Sequence, residues 1–214
     1  MKQKLGQHFL KSQKAIEAIV KASDLTNKDA VLEIGPGKGV LTEKLLDKAG
    51  KVVAIELDKN LVAYLKMKFE KEIKGKKLIL VEDDVLKVDI EKLKLKKYKV
   101  IANIPYYITG ILLRKILSSK NKPSLATLLI QKEVAERIVD EKKESILSLS
   151  VKAYGEPKYI STVSAKNFNP PPKVDSAILL IENISQNFFR GIDEEKFFTL
   201  VRAGFSSKRK MLIN

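Results

Sequence analysis

Short apolar runs alternate with helix-patterned segments along most of this chain, and no other feature constrains its fold as strongly. Ala30 to Ile34, Val52 to Ile55, Leu78 to Val81, Lys99 to Ala102 and Ala126 to Ile130 are too short for helices and read as strands. Val40 to Lys48, Asn60 to Glu72, Ile111 to Leu117 and Lys132 to Val139 repeat apolar residues at helical spacing. In the first of these, Leu41, Leu45 and Leu46 share one face. Ala15 to Ala22 reads the same way through Ile16, Ile19 and Val20, and Ser145 to Tyr154 adds another helix. Strand-helix alternation predicts an α/β fold, a mainly parallel sheet with helices on both faces. Lys158 to Ser164 and Ser176 to Glu182 break the pattern and predict an antiparallel pair, which adds an antiparallel edge strand.

In such sheets ligands bind beyond the carboxyl ends of the strands, and the unusual motifs of this chain all follow strands. "VLEIGPGKGVL" sets Gly35, Gly37 and Gly39 between a strand and a helix. Glycine there permits a tight turn and a close approach of ligand to backbone. The G-x-G-x-G spacing is not that of a dinucleotide site, and the Lys-Ser/Thr ending of a phosphate loop is missing. Glu33 ends the preceding strand. A carboxylate there suits a ligand with a cationic amine better than a pyrophosphate, and S-adenosylmethionine is such a ligand. A plain strand-helix turn would also use these glycines. Two further acids make that bland reading weaker. Glu56 follows at the tip of the second strand, where an acid can accept from both ribose hydroxyls of an adenosine. Asp83 or Asp84, at the tip of the third, can accept from an adenine amino group.

Composition narrows the class. A chain of 214 residues fits one domain or slightly more. It has no cysteine and a single histidine, His8, which argues against disulfides, a metal centre and a Ser-His triad. No apolar run approaches a membrane span or a signal-peptide core, so a soluble protein of the cytoplasm is expected. The formal net charge of +15 favours a polyanionic partner, nucleic acid ahead of an acidic membrane surface. A lysine-rich background would give the same surplus, but acidic residues do not rise with the lysines.

"VIANIPYYITG" is the remaining oddity: a strand that ends on Asn103 and runs into Ile104, Pro105 and Tyr106. An amide beside an aromatic ring suits a flat ligand, hydrogen-bonded at its edge and covered on its face.

Taken together, "LGQHFLKSQ", "EIGPGKGVLT", "IELD", "EDDVLKVD", "NIPYYIT", "QKEVAERIV" and "NFNPPPKVDSAIL" occur in an order that resembles the ribosomal RNA adenine-N6,N6 dimethyltransferases, the kasugamycin-resistance family. These are class I S-adenosylmethionine-dependent methyltransferases with a Rossmann-like fold. The resemblance spans nearly the whole chain. It implies a cofactor site of His8, Leu10, Glu33, Gly35, Gly37, Glu56, Asp84 and Asn103. It implies methyl transfer to N6 of adenines in small-subunit ribosomal RNA, dimethylating two adjacent adenosines during ribosome biogenesis. In that reading the Asn103 side-chain oxygen and the Ile104 carbonyl grip the target amine, Pro105 stiffens the turn, Tyr106 stacks on the base and Phe168 closes the opposite side. Lys173, Arg202, Lys208, Arg209 and Lys210 are the candidate RNA contacts.

The family pattern usually has Asn-Ile-Ser after the first tyrosine, where this chain has Tyr107-Ile108-Thr109. An erythromycin-resistance methyltransferase of large-subunit RNA shares the core motifs, and a non-catalytic assembly or transcription factor on the same fold is the rival of another class. Residues 1–184 are expected to form the methyltransferase domain of a monomer. "SQNFFRGIDEE" (185–195) marks the boundary, Glu195 to Ala203 reads as a helix, and 185–214 would be the start of a truncated helical RNA-recognition domain.

Overall fold

The computed structural model describes residues 7–206. Its first elements are a two-residue strand, β1 (Phe9–Leu10), and a helix, α1 (Gln13–Ala22). Ser12 starts that helix: its hydroxyl accepts from the Ala15 amide at 3.3 Å, a donor the first turn would otherwise leave unpaired. The first half of the sheet is built by β2 (Ala30–Ile34), α2 (Val40–Lys48), β3 (Lys51–Glu56), α3 (Lys59–Lys68), α4 (Glu70–Lys74) and β4 (Leu78–Glu82). The second half runs β5 (Tyr98–Asn103), α5 (Thr109–Ser118), β6 (Leu125–Gln131), α6 (Lys132–Val139), α7 (Ile146–Lys152), β7 (Glu156–Val163), β8 (Phe168–Asn169), β9 (Ser176–Glu182) and α8 (Glu194–Gly204).

Seven strands lie in the order β4-β3-β2-β5-β6-β9-β7. Pairing is parallel from β4 to β6, and β9 is antiparallel to both β6 and β7. The order reverses between β2 and β5, so the chain leaves a crevice at their carboxyl ends. Both faces are covered. Leu32, Val53, Val100 and Leu128 pack under Leu112 and Ile116 of α5 and Ile138 of α6. Val31, Val52, Ile101 and Leu129 pack under Ile16 and Ile19 of α1, Leu45 of α2 and Leu65 of α3. A strand buried on two sides shows a continuous apolar run, which is how these strands read in the sequence. Burying each such aliphatic side chain contributes about 1.5–3 kcal/mol.

Two expected helices are shorter than their periodicity. The segment from Asn60 to Glu72 breaks at Phe69, where φ is −114° and ψ 33°, so that two helices replace one. The Phe69 ring, 4% exposed, lies under Gly39 in the glycine loop, and that packing overrides the helical repeat. The helix expected from Ser145 to Tyr154 ends at Lys152. Tyr154 leaves it to meet Phe189 at 5.2 Å and Phe198 at 6.0 Å between ring centroids, and its hydroxyl donates to Glu194. These contacts seat the segment after Ile184, including α8, on the sheet domain. Among the described residues no helix is long and apolar enough to cross a membrane.

Candidate active site

β2 delivers the glycine loop. Gly35, Gly37 and Gly39 have φ of 69°, 58° and 73°, the left-handed region that penalises side chains. At Gly39 a Cβ would also sit 2.5 Å from the Phe69 ring, and at Gly37 3.1 Å from the ring of Phe9. Gly35 donates to the Ile55 carbonyl at 3.0 Å, which ties the loop to β3. The loop floors a cavity of about 440 Å³. His8, Phe9 and Leu10, Glu33, Gly35 to Lys38, Glu56, Asn103 to Tyr106 and Phe168 contribute to its wall. Most of the residues singled out from the sequence are therefore gathered at one place, at the switch in strand order.

Glu56 ends β3 and is 5% exposed. One carboxylate oxygen accepts from the Gly37 amide at 3.1 Å and the other from the Asp58 amide at 2.9 Å. Each oxygen keeps a second acceptor position, so the carboxylate is aimed and still able to take two hydroxyls. Glu33 is different. It is 1% exposed, and neither carboxylate oxygen has a hydrogen-bond partner. Burial pushes its pKa up to about 8; nearby Thr42 offsets this in part and the Glu56 carboxylate adds to it. An orphaned buried carboxylate on a cavity wall is what a cationic ligand group would complete.

The other wall comes from β5 and from the segment around β8. Asn103 ends β5, and its Nδ2 donates to the His8 carbonyl at 3.1 Å. With the amide nitrogen held there, the side-chain oxygen is the atom left for a ligand. The Ile104 amide donates to the Leu129 carbonyl at 3.1 Å, and Ile104 itself is 2% exposed. Pro105 leads into a single 3-10 turn, Tyr106–Ile108. The Tyr106 hydroxyl lies 2.8 Å from the Ser176 hydroxyl, and burial raises its pKa. Its ring lies nearly parallel to the His8 imidazole, 27° between planes and 6.1 Å between centroids. Phe168 is 2% exposed and meets the cavity from within the apolar cluster beneath α1 and α2.

β1 and β8 pair antiparallel, Phe9 opposite Asn169 and Leu10 opposite Phe168. The Lys11 amide donates to the Asn167 carbonyl at 2.8 Å, and His8 Nδ1 donates to the Pro170 carbonyl at 2.7 Å. A carbonyl can only accept, so that contact fixes the histidine tautomer.

Some expected residues stand apart. Asp84 is half-buried beyond the end of β4 and outside the cavity wall; its Oδ1 accepts from the Leu86 amide at 2.9 Å. Lys173 is exposed in the loop between β8 and β9. Arg202 is exposed on α8 and donates to the Thr199 hydroxyl at 3.1 Å. Lys208, Arg209 and Lys210 lie outside the described residues. Sequence reasoning missed Phe9, whose ring faces Gly37 and lies 5.2 Å from the Lys38 ammonium, and Ser176, which anchors Tyr106. Both lay inside quoted motifs, Phe9 in "LGQHFLKSQ" and Ser176 in "NFNPPPKVDSAIL", but a strand of two residues leaves no periodicity to show which way Phe9 points.

The model of the ribosomal RNA adenine dimethylase family matches residues 1–214. The chain belongs to that family. Ribosomal RNA small subunit methyltransferase A of Dehalococcoides mccartyi is 44% identical to this adenine dimethylase family member over 214 residues, 98% of this chain and 72% of the relative. Among solved structures, a dimethyladenosine transferase from Plasmodium falciparum superposes with a TM-score of 0.83 at 34% identity, over 96% of this chain and 73% of that one. The 23S rRNA methyltransferase ErmE superposes with a TM-score of 0.80 at 28% identity, over 93% of this chain and 80% of that one. The adenine dimethylase fold is thus shared with structures named as a dimethyladenosine transferase and as a 23S rRNA methyltransferase. The cavity residues fit S-adenosylmethionine on this structure's own terms: unpartnered Glu33 for the cationic end, and the two free acceptor positions of Glu56 for a ribose.

Proposed function

We propose that this chain transfers methyl groups from S-adenosylmethionine to N6 of adenines in small-subunit ribosomal RNA, dimethylating two adjacent adenosines. The observation that carries the reading is Asn103: its nitrogen is tied to His8, and its oxygen is left beside Tyr106 on the wall of a cavity floored by the glycine loop. When bound, S-adenosylmethionine supplies an electrophilic methyl on a sulfonium. An adenine amine is a poor nucleophile because its lone pair is delocalised into the ring. Asn103 Oδ1 and the Ile104 carbonyl, each accepting one N–H, would pull that nitrogen toward tetrahedral geometry and localise the lone pair. Pro105 stiffens the turn that aims them. Tyr106, held by Ser176, offers a face for an unstacked base; Phe168, expected to close the opposite side, is 2% exposed within the core and so limits the depth of the pocket instead. Positioning of this kind supplies several orders of magnitude in rate. The protonated product amine loses its proton to water, so no general base is required.

Glu56, Glu33, Gly35, Gly37, His8 and Leu10 hold the cofactor in this reading, with Asp84 reaching the adenine end from outside the present wall. Lys173, Arg202 and the basic residues Lys208, Arg209 and Lys210 contact RNA phosphates, in keeping with the charge of +15. Residues 1–184 form the catalytic domain, and the segment from 185 begins a helical RNA-reading unit. The enzyme acts as a monomer in the cytoplasm, where small subunits are assembled. The test is to incubate it with undermethylated small and large subunits and digest each RNA for mass spectrometry. Dimethyladenosine in the small-subunit digest is expected. Product in the large-subunit digest alone, or in neither, overturns the assignment.

A further inference from the structure

Tyr107 is a large exposed aromatic residue that the catalytic wall does not use. The 3-10 turn explains where it goes. With three residues per turn, successive side chains diverge by about 120°. Tyr106 lines the cavity, Ile108 packs on the core beneath α5, and Tyr107 is left outward at 66% exposed. A large aromatic ring is thus held outward, one residue from the Tyr106 wall of the cavity, by a backbone that Pro105 and two inward neighbours fix. It is not alone. Gly110 and Ile111, three and four residues on, share its side of α5, as does Arg114 at the next turn. Ile111 is 61% exposed, Arg114 is exposed, and a Cβ on Gly110 would meet nothing within 4 Å. The strip therefore runs aromatic ring, bare backbone, aliphatic side chain, cation. From Tyr107 to Arg114 it extends about 10 Å down the helix at 1.5 Å per residue.

We propose that this strip is the subsite for the nucleotide next to the target adenosine: Tyr107 stacks on its base and Arg114 takes its phosphate. The proposal rests on the RNA-methylating function above and names how the strand outside the pocket is held. Three observations select single-stranded RNA as the occupant. The strip continues from the pocket wall through one peptide bond. It ends in a cation on a chain with a formal net charge of +15. Its aromatic end presents a face that any base can use, which is how single strands are gripped without sequence readout. Gly110 leaves room for a sugar to approach the helix. Unstacking two neighbouring bases is costly, and a ring on the rim replaces for the second base the stacking lost when the first enters the pocket.

The test compares wild type with Tyr107→Ala, Tyr107→Phe and Arg114→Gln. On undermethylated small subunits, Tyr107→Ala should raise KM about tenfold, the scale of one base stack, with kcat within about threefold. Tyr107→Phe should restore KM, because the ring is kept. A short single strand carrying 2-aminopurine beside an adenosine should be quenched on binding wild type and Tyr107→Phe, but not Tyr107→Ala. Arg114→Gln should flatten the log–log salt dependence of that binding by about 0.7. Cofactor affinity should stay the same in all three. An unchanged KM in Tyr107→Ala, or equal quenching by it, overturns the subsite while leaving the proposed function standing. No methylation of either subunit by wild type removes the function itself. A wild-type dimer that Tyr107→Ala dissociates would give the strip to a second copy of the chain and overturn the proposal.

Discussion

Asn103 Nδ2 donates to the His8 carbonyl at 3.1 Å, joining residues 95 positions apart. The bond makes the asparagine a one-sided group: the nitrogen is held by the protein, and in the proposed function the oxygen takes the target amine. It also connects the segment leading into β1 to the end of β5.

Replacing Asn103 by Ala should therefore leave the fold intact and reduce the single-turnover methylation rate about 10²–10³-fold, by analogy with loss of one preorganised transition-state partner. A variant within threefold of wild type would remove Asn103 from the chemistry.

Glu56→Ala should weaken S-adenosylmethionine binding at least about tenfold, the scale of one charge-assisted hydrogen bond. It also frees the Gly37 and Asp58 amides, so the measurement pairs calorimetric titration with a melting curve. Unchanged affinity in a folded variant contradicts the ribose role.

Glu33 gives a pH dependence with a definite sign. Its folded pKa of about 8 lies above the ordinary 4.5, so the folded protein holds a proton that the unfolded chain releases. Stability from that proton is complete below about pH 4.5 and is lost as pH rises to about 8. The loss by pH 7 is roughly 3 kcal/mol. Glu33→Gln should melt like wild type near pH 4.5 and progressively higher than wild type toward pH 8. Cofactor binding should move oppositely. A cationic ligand needs the carboxylate, so wild-type affinity should rise with pH up to about 8 and the variant should lose that slope. Parallel melting curves across the range would contradict the buried-acid account.

Gly39→Ala places a methyl 2.5 Å from the Phe69 ring at a φ of 73°. The left-handed backbone alone costs about 1–2 kcal/mol. With Phe69 displaced as well, the melting temperature should fall by about 5 °C or more. A melting temperature equal to wild type would contradict both the backbone strain at this φ and the Phe69 contact.

The strands were legible because burial on both faces makes them continuous apolar runs, and β2, α2 and α6 have the bounds their patterns predict. The glycine loop, Glu56 and Asn103 were legible because each interrupts an apolar pattern at a strand end. What periodicity could not show is set by distant packing. Phe69 breaks a helix to fit beneath Gly39, and Tyr154 leaves one to meet Phe198. β1 and β8 are two residues each and exist only because they pair. The freedom of Glu33 from any partner is likewise a fact of three dimensions.

That small β1–β8 pair has a kinetic consequence. One strand borders the end of the cavity that holds His8 and Leu10; the other carries Phe168 and Asn169. The two strands are bonded side by side, so a movement of one carries the other. If demethylated cofactor leaves past β1, the grip on the base loosens with it, and a second methyl on one nitrogen calls for a second visit by the RNA. Singly methylated adenine should then escape into solution early in the reaction, where a chase with unlabelled subunits would find it.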